Sequence, residues 1–447
     1  MSLQSAIIPA PAAGDGAIAD AGGIDAEAVA QVVGVLVASA AGCAEAGSGL
    51  LECFAAVTDP RDRRGVRHSL SSILGLASAA VAAGQILLVE ITDWIAAADQ
   101  GLLAAVGCRR DRSGMFVAPH PDTVERVFAA LDSQDLTDRV AAHQLVGTNV
   151  RPTGAPIGAP VLLPAIAFDG KAVRGAVGAD GKVPFLLAAA THTGCTVIAE
   201  RAIGPKSNEV PQVAPLLRTL AAAGEGIGGC VLSMDAGHTV RAHAELIVTE
   251  LFAHYVMTIK GNTPKLFEAV NAIDWKQVPI THRSTDNRRG RAEVRTIQVC
   301  DVPGSIDFPH AAQVFLIERV CVRTVYKKVK GSRGRKKTQV RHAVAALGIT
   351  SLSSREAAGE HLATYVRSHW AIENKIHWVR DVTFREDFSK VRTDSRPRIM
   401  ATLRNLVIGL IRQAGHTGIA ATIRKIKNNP HLVYALLGLP ATSESTT

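Results

Sequence analysis

The chain has 447 residues, 47% of them hydrophobic and 20% charged, which is ordinary for a globular protein with a sizeable core and two or three domains. A net charge of +9 and a pI near 9.3 favour a polyanionic partner, nucleic acid ahead of an anionic membrane. The seven cysteines are scattered without a CxxC pair, which argues against a zinc ribbon or disulfide framework and fits reduced, mostly buried thiols in a cytosolic protein. No positively charged region precedes an apolar stretch at the amino terminus, so a secretory signal is not expected.

Residues 1 to about 24 are rich in Ala, Gly and Pro and are predicted to be disordered. From 25 to 150 the pattern is helical throughout and reads as a small all-helical domain. Asp25 is placed to cap a helix reaching about Ala44, and Ser69 to cap another. Asp122-Thr-Val-Glu125 opens a third, with Val124, Val127, Phe128 and Leu131 on one stripe. Ser69 to Val89 carries no charge and imitates a membrane span. Its Gly75, Ser78, Gly84 and Gln85 favour a buried helix or close helix pair instead, so no membrane partner is expected.

A Pro- and Gly-rich linker, Arg151 to Pro160, introduces a different texture. Val161 to Phe168, Val183 to Ala190 and Thr196 to Ile203 read as strands, followed by a helix over Glu209 to Ala223. Then come a buried strand (Cys230 to Met234), a helix (Val240 to Leu251) and another strand (Tyr255 to Ile259). Thr263 and Pro264 open the next helix. This order predicts an α/β fold with a mixed sheet covered by helices. A second β-rich stretch, about 280 to 349, holds two basic clusters, Arg288-Arg-Gly-Arg291 and a longer one from Lys327 to Lys337. One long helix is predicted from about Ser354 to Phe384, then others over Arg398 to Gln413 and Ala420 to Leu437.

Asp169 ends one apolar strand and Asp235 another, and ligands gather at the carboxyl ends of strands in open α/β sheets. Each Asp, taken singly, is read first as a turn or cap residue, Asp-Gly being a common turn pair. On the long helix, counting 100° per residue puts Val366, His369, Glu373, His377, Arg380 and Phe384 in one narrow sector. A solvated face of helix-spaced ion pairs would explain it. The flanking Trp370-Ala-Ile372 and Ile376-His-Trp378 instead suggest packing on both shoulders and a half-buried face. Three carboxylates drawn together repel one another unless cations neutralise them. Hard divalent ions accept such oxygen ligands and leave positions open for phosphate, which suits phosphodiester cleavage.

The segment from Arg367 to Asp387, with Ala167-Phe-Asp-Gly-Lys171, Met234-Asp-Ala-Gly-His-Thr239 and Tyr255 to Pro264, resembles insertion-sequence transposases of the ISAs type, also called H-repeat-associated proteins. Asp59 to His68 resembles that family's associated helical domain, and Gly290-Arg-Ala-Glu293 echoes an element of its insertion. The resemblance covers roughly residues 50 to 415, with its motifs in order. It departs from the family at Gly237 and Val240, and at Arg380, where an apolar residue is more usual.

The resemblance implies a ribonuclease H-like catalytic core over 161–415 with the β-rich stretch as an insertion. A helical domain that binds DNA would precede it, and a C-terminal helix and tail (416–447) would follow. Asp169, Asp235 and Glu373 would be both catalytic residues and ligands for two Mg²⁺ ions, Mn²⁺ substituting. DNA contacts are expected from Lys171, Arg174, Lys260, Asn262, Lys327, Lys328, Lys330, Arg333, Arg335, Lys336, Lys337, His369 and Arg380. Lys171 and Arg174 would equally suit a solvated strand end, and 327–337 a solvated loop. His369 would contribute fully only when protonated. The implied partners are double-stranded DNA with terminal inverted repeats, target DNA and a second copy of the chain in the DNA complex, at the nucleoid in the cytoplasm. A catalytically silent remnant that still binds DNA is the alternative.

Overall fold

The computed structural model describes residues 49–148, 160–178, 181–204, 210–222, 226–288, 291–328 and 335–440. The predicted disordered start, the helix expected over 25–44 and the linker over 151–159 lie outside these residues.

Six helices open the described chain: α1 (Leu50–Ala55), α2 (Leu70–Ala82), α3 (Leu88–Ala96), α4 (Gln100–Ala105), α5 (Pro121–Ala130) and α6 (Ser133–Val146). Their starts follow local chemistry. The hydroxyl of Ser69 accepts from the Ser72 amide at 3.0 Å, and Asp132 caps α6 in the same way. The cap of α5 is His120, followed by Pro121, rather than Asp122 as its sequence suggests. The uncharged stretch from Ser69 is α2, buried almost along its whole length, and a turn at Gly84 separates it from α3. Among the described residues no helix is long and apolar enough to cross a membrane.

The sheet has nine strands in the order β3-β2-β1-β4-β5-β9-β8-β7-β6. They are β1 (Ala165–Ala172), β2 (Phe185–Thr191), β3 (Val197–Ile203), β4 (Val231–Met234), β5 (His254–Ile259), β6 (Ile280–Arg288), β7 (Arg291–Asp301), β8 (Gln313–Lys328) and β9 (Arg335–Thr350). β1 runs parallel to β4, and β4 to β5; all other pairs are antiparallel. The β-rich stretch expected as an insertion is therefore continuous with the main sheet, because β9 pairs directly with β5. Gly348 of β9 makes room for the ring of Phe315 on β8, from which a Cβ there would lie 2.1 Å.

Alternation along the strands sorts side chains to two faces. Ile166, Phe168, Leu232 and Met234 face a core built with α7 (Val210–Ala222), α8 (Arg241–Glu245, continuing as a π-helical turn over Leu246–Glu250) and α9 (Pro264–Asn271). On the other face Ala165, Val231, Val256, Ile297 and Phe315 meet Leu362 and Tyr365 of α10 (Gly359–His369). The long helix expected from Ser354 to Phe384 is broken: α10 passes into a π-helical stretch, Ile372–His377, and then into α11 (Trp378–Val382).

The chain ends in α12 (Arg396–Gln413), α13 (Ile419–Asn428) and α14 (Leu432–Leu437). The last two replace the single helix expected over 420–437, broken where Asn429 precedes Pro430. These helices share one continuous core with α2 to α6, in which Leu403, Val407 and Ile411 meet residues such as Ile73, Leu76 and Phe128. The amino-terminal helices are thus completed by the carboxy-terminal ones, and α6 and α12 pack against edge strand β3.

Candidate active site

The parallel pairing of β1 with β4 sets the first two acids. Phe168 is in register with Met234, so Asp169 and Asp235 follow at the same level on neighbouring strands, whose axes lie about 4.8 Å apart. Both continue the face of Ala167 and Ser233, opposite to Phe168 and Met234. The Asp169 side chain is about one-third exposed, and its Oδ1 accepts from the Gly170 amide at 3.0 Å. Asp235 caps a 3₁₀ turn, Ala236–His238, accepting from the Gly237 amide at 2.9 Å. A Cβ at Gly237 would sit 3.2 Å from the Asp235 carboxylate, so glycine leaves that oxygen uncrowded.

The π-helical stretch lies over this same face. Ile372 and Ile376 are buried against Ala167, Ala188 and Ala190, which presses the turn onto β1 and β2. Glu373, next to Ile372, is exposed, and its carboxylate joins no hydrogen bond or ion pair among the described residues. Four positions to either side, two histidines reach the strand ends. His369 Nδ1 is 3.0 Å from Ser233 Oγ, and His377 Nδ1 is 3.3 Å from Asp169 Oδ2. Ser233 also meets His192 Nε2 at 2.7 Å, making a His–Ser–His chain beneath Asp235. Burial pushes His369 below its ordinary range, although Asp169, Asp235 and the bond to Ser233 pull the other way. The DNA contact expected of His369 would be full only when the ring is protonated, and burial works against that form while Ser233 holds the ring. Burial, with His369 as neighbour, likewise brings His192 down to about 3.

Two other candidates sit differently from what their sequence suggests. Arg380 is fully buried and cannot reach DNA. It pairs with Glu386 at 2.8 Å and Glu200 at 3.1 Å, while Arg404 joins Glu386 at 3.0 Å and Asn405 bonds Glu200. The burial suits a position where the resembling family usually places an apolar residue. Lys171 is 6% exposed and its Nζ is committed to Asp381 at 2.6 Å, leaving it neither at a solvated strand end nor open to phosphate. These ion pairs moor the end of the Glu373 helix to β1, β3 and α12. Gly175 closes the same seam, since a Cβ there would fall 2.3 Å from the Glu386 carbonyl.

The remaining candidates are dispersed. Arg174 is largely exposed, with only a long 3.8 Å pair to Asp387. Lys260 is exposed just beyond β5. Asn262 donates to the Ala236 carbonyl at 2.5 Å, holding the loop that follows Asp235. Lys327, Lys328, Arg335, Lys336 and Lys337 lie at the paired ends of β8 and β9, where Lys327 is in register with Lys336 and Lys328 with Arg335. Lys330 and Arg333 lie outside the described residues.

Sequence reasoning missed Ser233 and His192. Ser233 could have been found, since it stands two positions before Asp235 on a strand and must share its face. The packing expected on both shoulders of the helix holds on one only: Ile372 and Ile376 are buried, while Trp370 and Trp378 are 57% and 55% exposed.

Among the described residues no group of three or more His, Cys, Asp or Glu side chains is drawn close enough to hold an ion. The fit to a divalent cation rests on donor chemistry. Asp169 and Asp235 offer only carboxylate oxygens on one partly open face, the donor type hard cations take. Glu373 stands on the turn above that face and must come closer to complete a set of three.

Acidic strand ends beneath a helix bearing a third acid place this α/β chain among candidates for metal-assisted phosphodiester chemistry. Residues 163–410 match the family model described as Transposase DDE domain, and residues 51–143 match the DDE_Tnp_1-associated one. The chain belongs to the DDE transposases of insertion sequences. In Escherichia coli O157:H7 the protein named "Putative transposase YncI" is 24% identical over 380 residues, covering 81% of this chain and 87% of that protein. In Escherichia coli strain K12 the "H repeat-associated putative transposase YhhI" is 26% identical over 259 residues, 55% of this chain and 63% of its own length. A solved piggyBac transposase synaptic complex with hairpin DNA aligns over 91% of this chain and 78% of that one, at 10% identity and a TM-score of 0.40, a likeness too slight to carry an argument.

Proposed function

We propose that the chain cleaves phosphodiester bonds at the ends of an insertion sequence and transfers the freed strands to target DNA. One observation carries this reading. The parallel register of β1 and β4 brings Asp169 and Asp235 side by side on the face covered by the Glu373 helix. Three antiparallel strands followed by two parallel ones, in the order β3-β2-β1-β4-β5, is also the core expected of a ribonuclease H-like enzyme.

Asp169, Asp235 and Glu373 would hold the metal ions. When bound, a pair of Mg²⁺ or Mn²⁺ ions supplies the positive charge that activates the attacking oxygen and stabilises the leaving one. The chain's own residues set the geometry. The Gly170 and Gly237 amides fix one oxygen of each Asp, and His377 steadies the other oxygen of Asp169. Ser233, gripped by His192 and His369, ties the end of α10 to β4, while Asn262 steadies the loop after Asp235. The basic run at the paired ends of β8 and β9 would meet DNA through phosphates without reading sequence. The partners on this reading are terminal inverted repeats, target DNA and a second copy of the chain, meeting at the nucleoid.

Purified protein should nick or cleave duplexes carrying its terminal repeats only with Mg²⁺ or Mn²⁺. Asp235→Asn and Glu373→Gln should each lose at least about a hundredfold of that rate. Full activity in either variant would refute the assignment. Among the described residues no three acids are drawn close enough to hold an ion, which favours one second reading, a silent remnant, that binding without cleavage under permissive metal would support.

A further inference from the structure

β8 and β9 run 16 residues each and rise past the end of the core sheet at which Asp235 sits. Register traces the level across: Met234 pairs with Met257, Met257 with Ile349, Ile349 with Val314 and Val314 with Cys300. Residues of β8 after 314 and of β7 before 300 therefore project beyond the level of Met234, in the direction in which Asp235 follows. Arg319 stands five residues past that level, on the order of 16 Å at the usual strand rise.

This projecting wall is charged on the face it shares with the aspartates. Ile297 and Phe315 lie on the α10 side of the sheet, so by alternation Arg291, Glu293 and Arg295 of β7 and Arg319 and Arg323 of β8 follow on that side. Arg295 is in register with Arg319, and Arg291 with Arg323, so guanidiniums oppose one another across the pair. Like charges directly opposite are destabilising unless something holds them. Glu293 does so: only 1% of its side chain is exposed, and it meets Arg291 at 3.5 Å, Arg319 at 2.8 Å and Arg295. Burial alone would raise the Glu293 carboxyl, but the Arg319 hydrogen bond and the charges of Arg295, Arg319 and Arg291 carry it below its ordinary range.

Arg367 of α10 borders the same patch and pairs with Asp286 of β6 at 3.3 Å. Among the described side chains, five guanidiniums thus face two carboxylates, leaving a net of three positive charges. Arg291, Arg319 and Arg367 keep about half their side-chain surface exposed, and Val344 and His342 on β9 leave the face open beside them. A structural ion-pair network needs one cation per anion. This one carries a surplus, aimed past the catalytic end of the sheet.

We propose that this face of the β7–β8 wall is a separate DNA-binding site, where Arg291, Arg295, Arg319 and Arg323 hold backbone phosphates and Glu293 is the positioning residue that keeps the guanidiniums side by side. Arginine forks suit phosphate oxygens, and such contacts fix the path of a duplex without reading its sequence. The proposal takes DNA as the ligand from the transposase reading, but it assigns binding to residues apart from Asp169, Asp235, Glu373 and the 327–337 cluster.

The test is the salt dependence of binding to a random-sequence duplex with divalent ions chelated, so that cleavage plays no part. An Arg319→Gln, Arg323→Gln double variant should bind at least roughly tenfold more weakly at 0.1 M salt, and its slope of log affinity against log salt should fall by about two. Lysine at both positions should restore most of the slope. Glu293→Gln adds net positive charge, so simple attraction would tighten binding; a positioning role predicts weaker binding. Should that variant unfold on thermal scanning, the half-exposed arginine pair still decides the question. Unchanged affinity and slope in the double variant would overturn the proposal, as tighter binding by a folded Glu293→Gln would overturn the positioning role. An altered slope in a protein that cleaves no terminal repeats would sink the transposase reading and leave the wall standing.

Discussion

Glu373 and Arg380 sit seven residues apart on one helical segment, both charged, yet the fold treats them oppositely. Glu373 is exposed on the π-helical turn, and among the described residues its carboxylate has no partner. Arg380 is fully enclosed by Glu200, Glu386 and Asn405. Glu373 lies in a π-helical turn and Arg380 in the α-helical turn after it, and their partners differ. Glu200 comes from β3 and Glu386 from the turn after α11, and together they make burial of a guanidinium tolerable. A side chain left open on the turn over the aspartates is available for chemistry, whereas one saturated by counter-charges is architecture.

That contrast can be broken by stability measurements. Arg380→Ala would leave Glu386 and Glu200 buried with a cation removed, and should cost about 3–5 kcal/mol in chemical denaturation. Glu373→Gln should change stability by no more than about 0.5 kcal/mol, as surface changes do. Equal losses in the two variants would erase the distinction.

A smaller effect follows from acid. Burial would raise the Glu386 carboxyl, but Arg380 and Arg404 more than offset it and bring it down to about 2. Arg380 is held further up by Glu386 and Glu200 against its own burial, whereas Arg404 is lowered because burial and Arg380 outweigh Glu386. Since the folded carboxyl titrates below the unfolded one, its contribution is present above about pH 4.5 and lost as pH falls toward 2. The loss should be on the order of 3 kcal/mol, read as a falling denaturation midpoint. A midpoint independent of pH across that window would mean Glu386 is not ionised in the fold.

The sequence made the acids legible because each is marked locally. Asp169 and Asp235 end apolar strands, and Glu373 lies in a helix with an apolar period. Pairing was not marked. Only the parallel register of β1 with β4 puts the two aspartates at one level, and only β9 against β5 joins the inserted strands to the main sheet. Counting at 100° per residue grouped His369, Glu373 and His377 usefully but failed at Arg380, beyond the π-helical turn, where each turn takes more residues. Lys171 and Arg380 read as phosphate contacts because their counter-ions, Asp381, Glu200 and Glu386, could not be matched to them from spacing alone. The shared core of α2 to α6 with α12 to α14 joins segments separated by most of the chain.

Metal binding at the three acids can be read calorimetrically by titrating Mn²⁺ into the protein bound to a terminal-repeat duplex. Saturable binding is expected, abolished by Asp169→Asn or Asp235→Asn and weakened by Glu373→Gln. Equally tight Mn²⁺ binding by the wild type and all three variants would contradict metal binding at these acids.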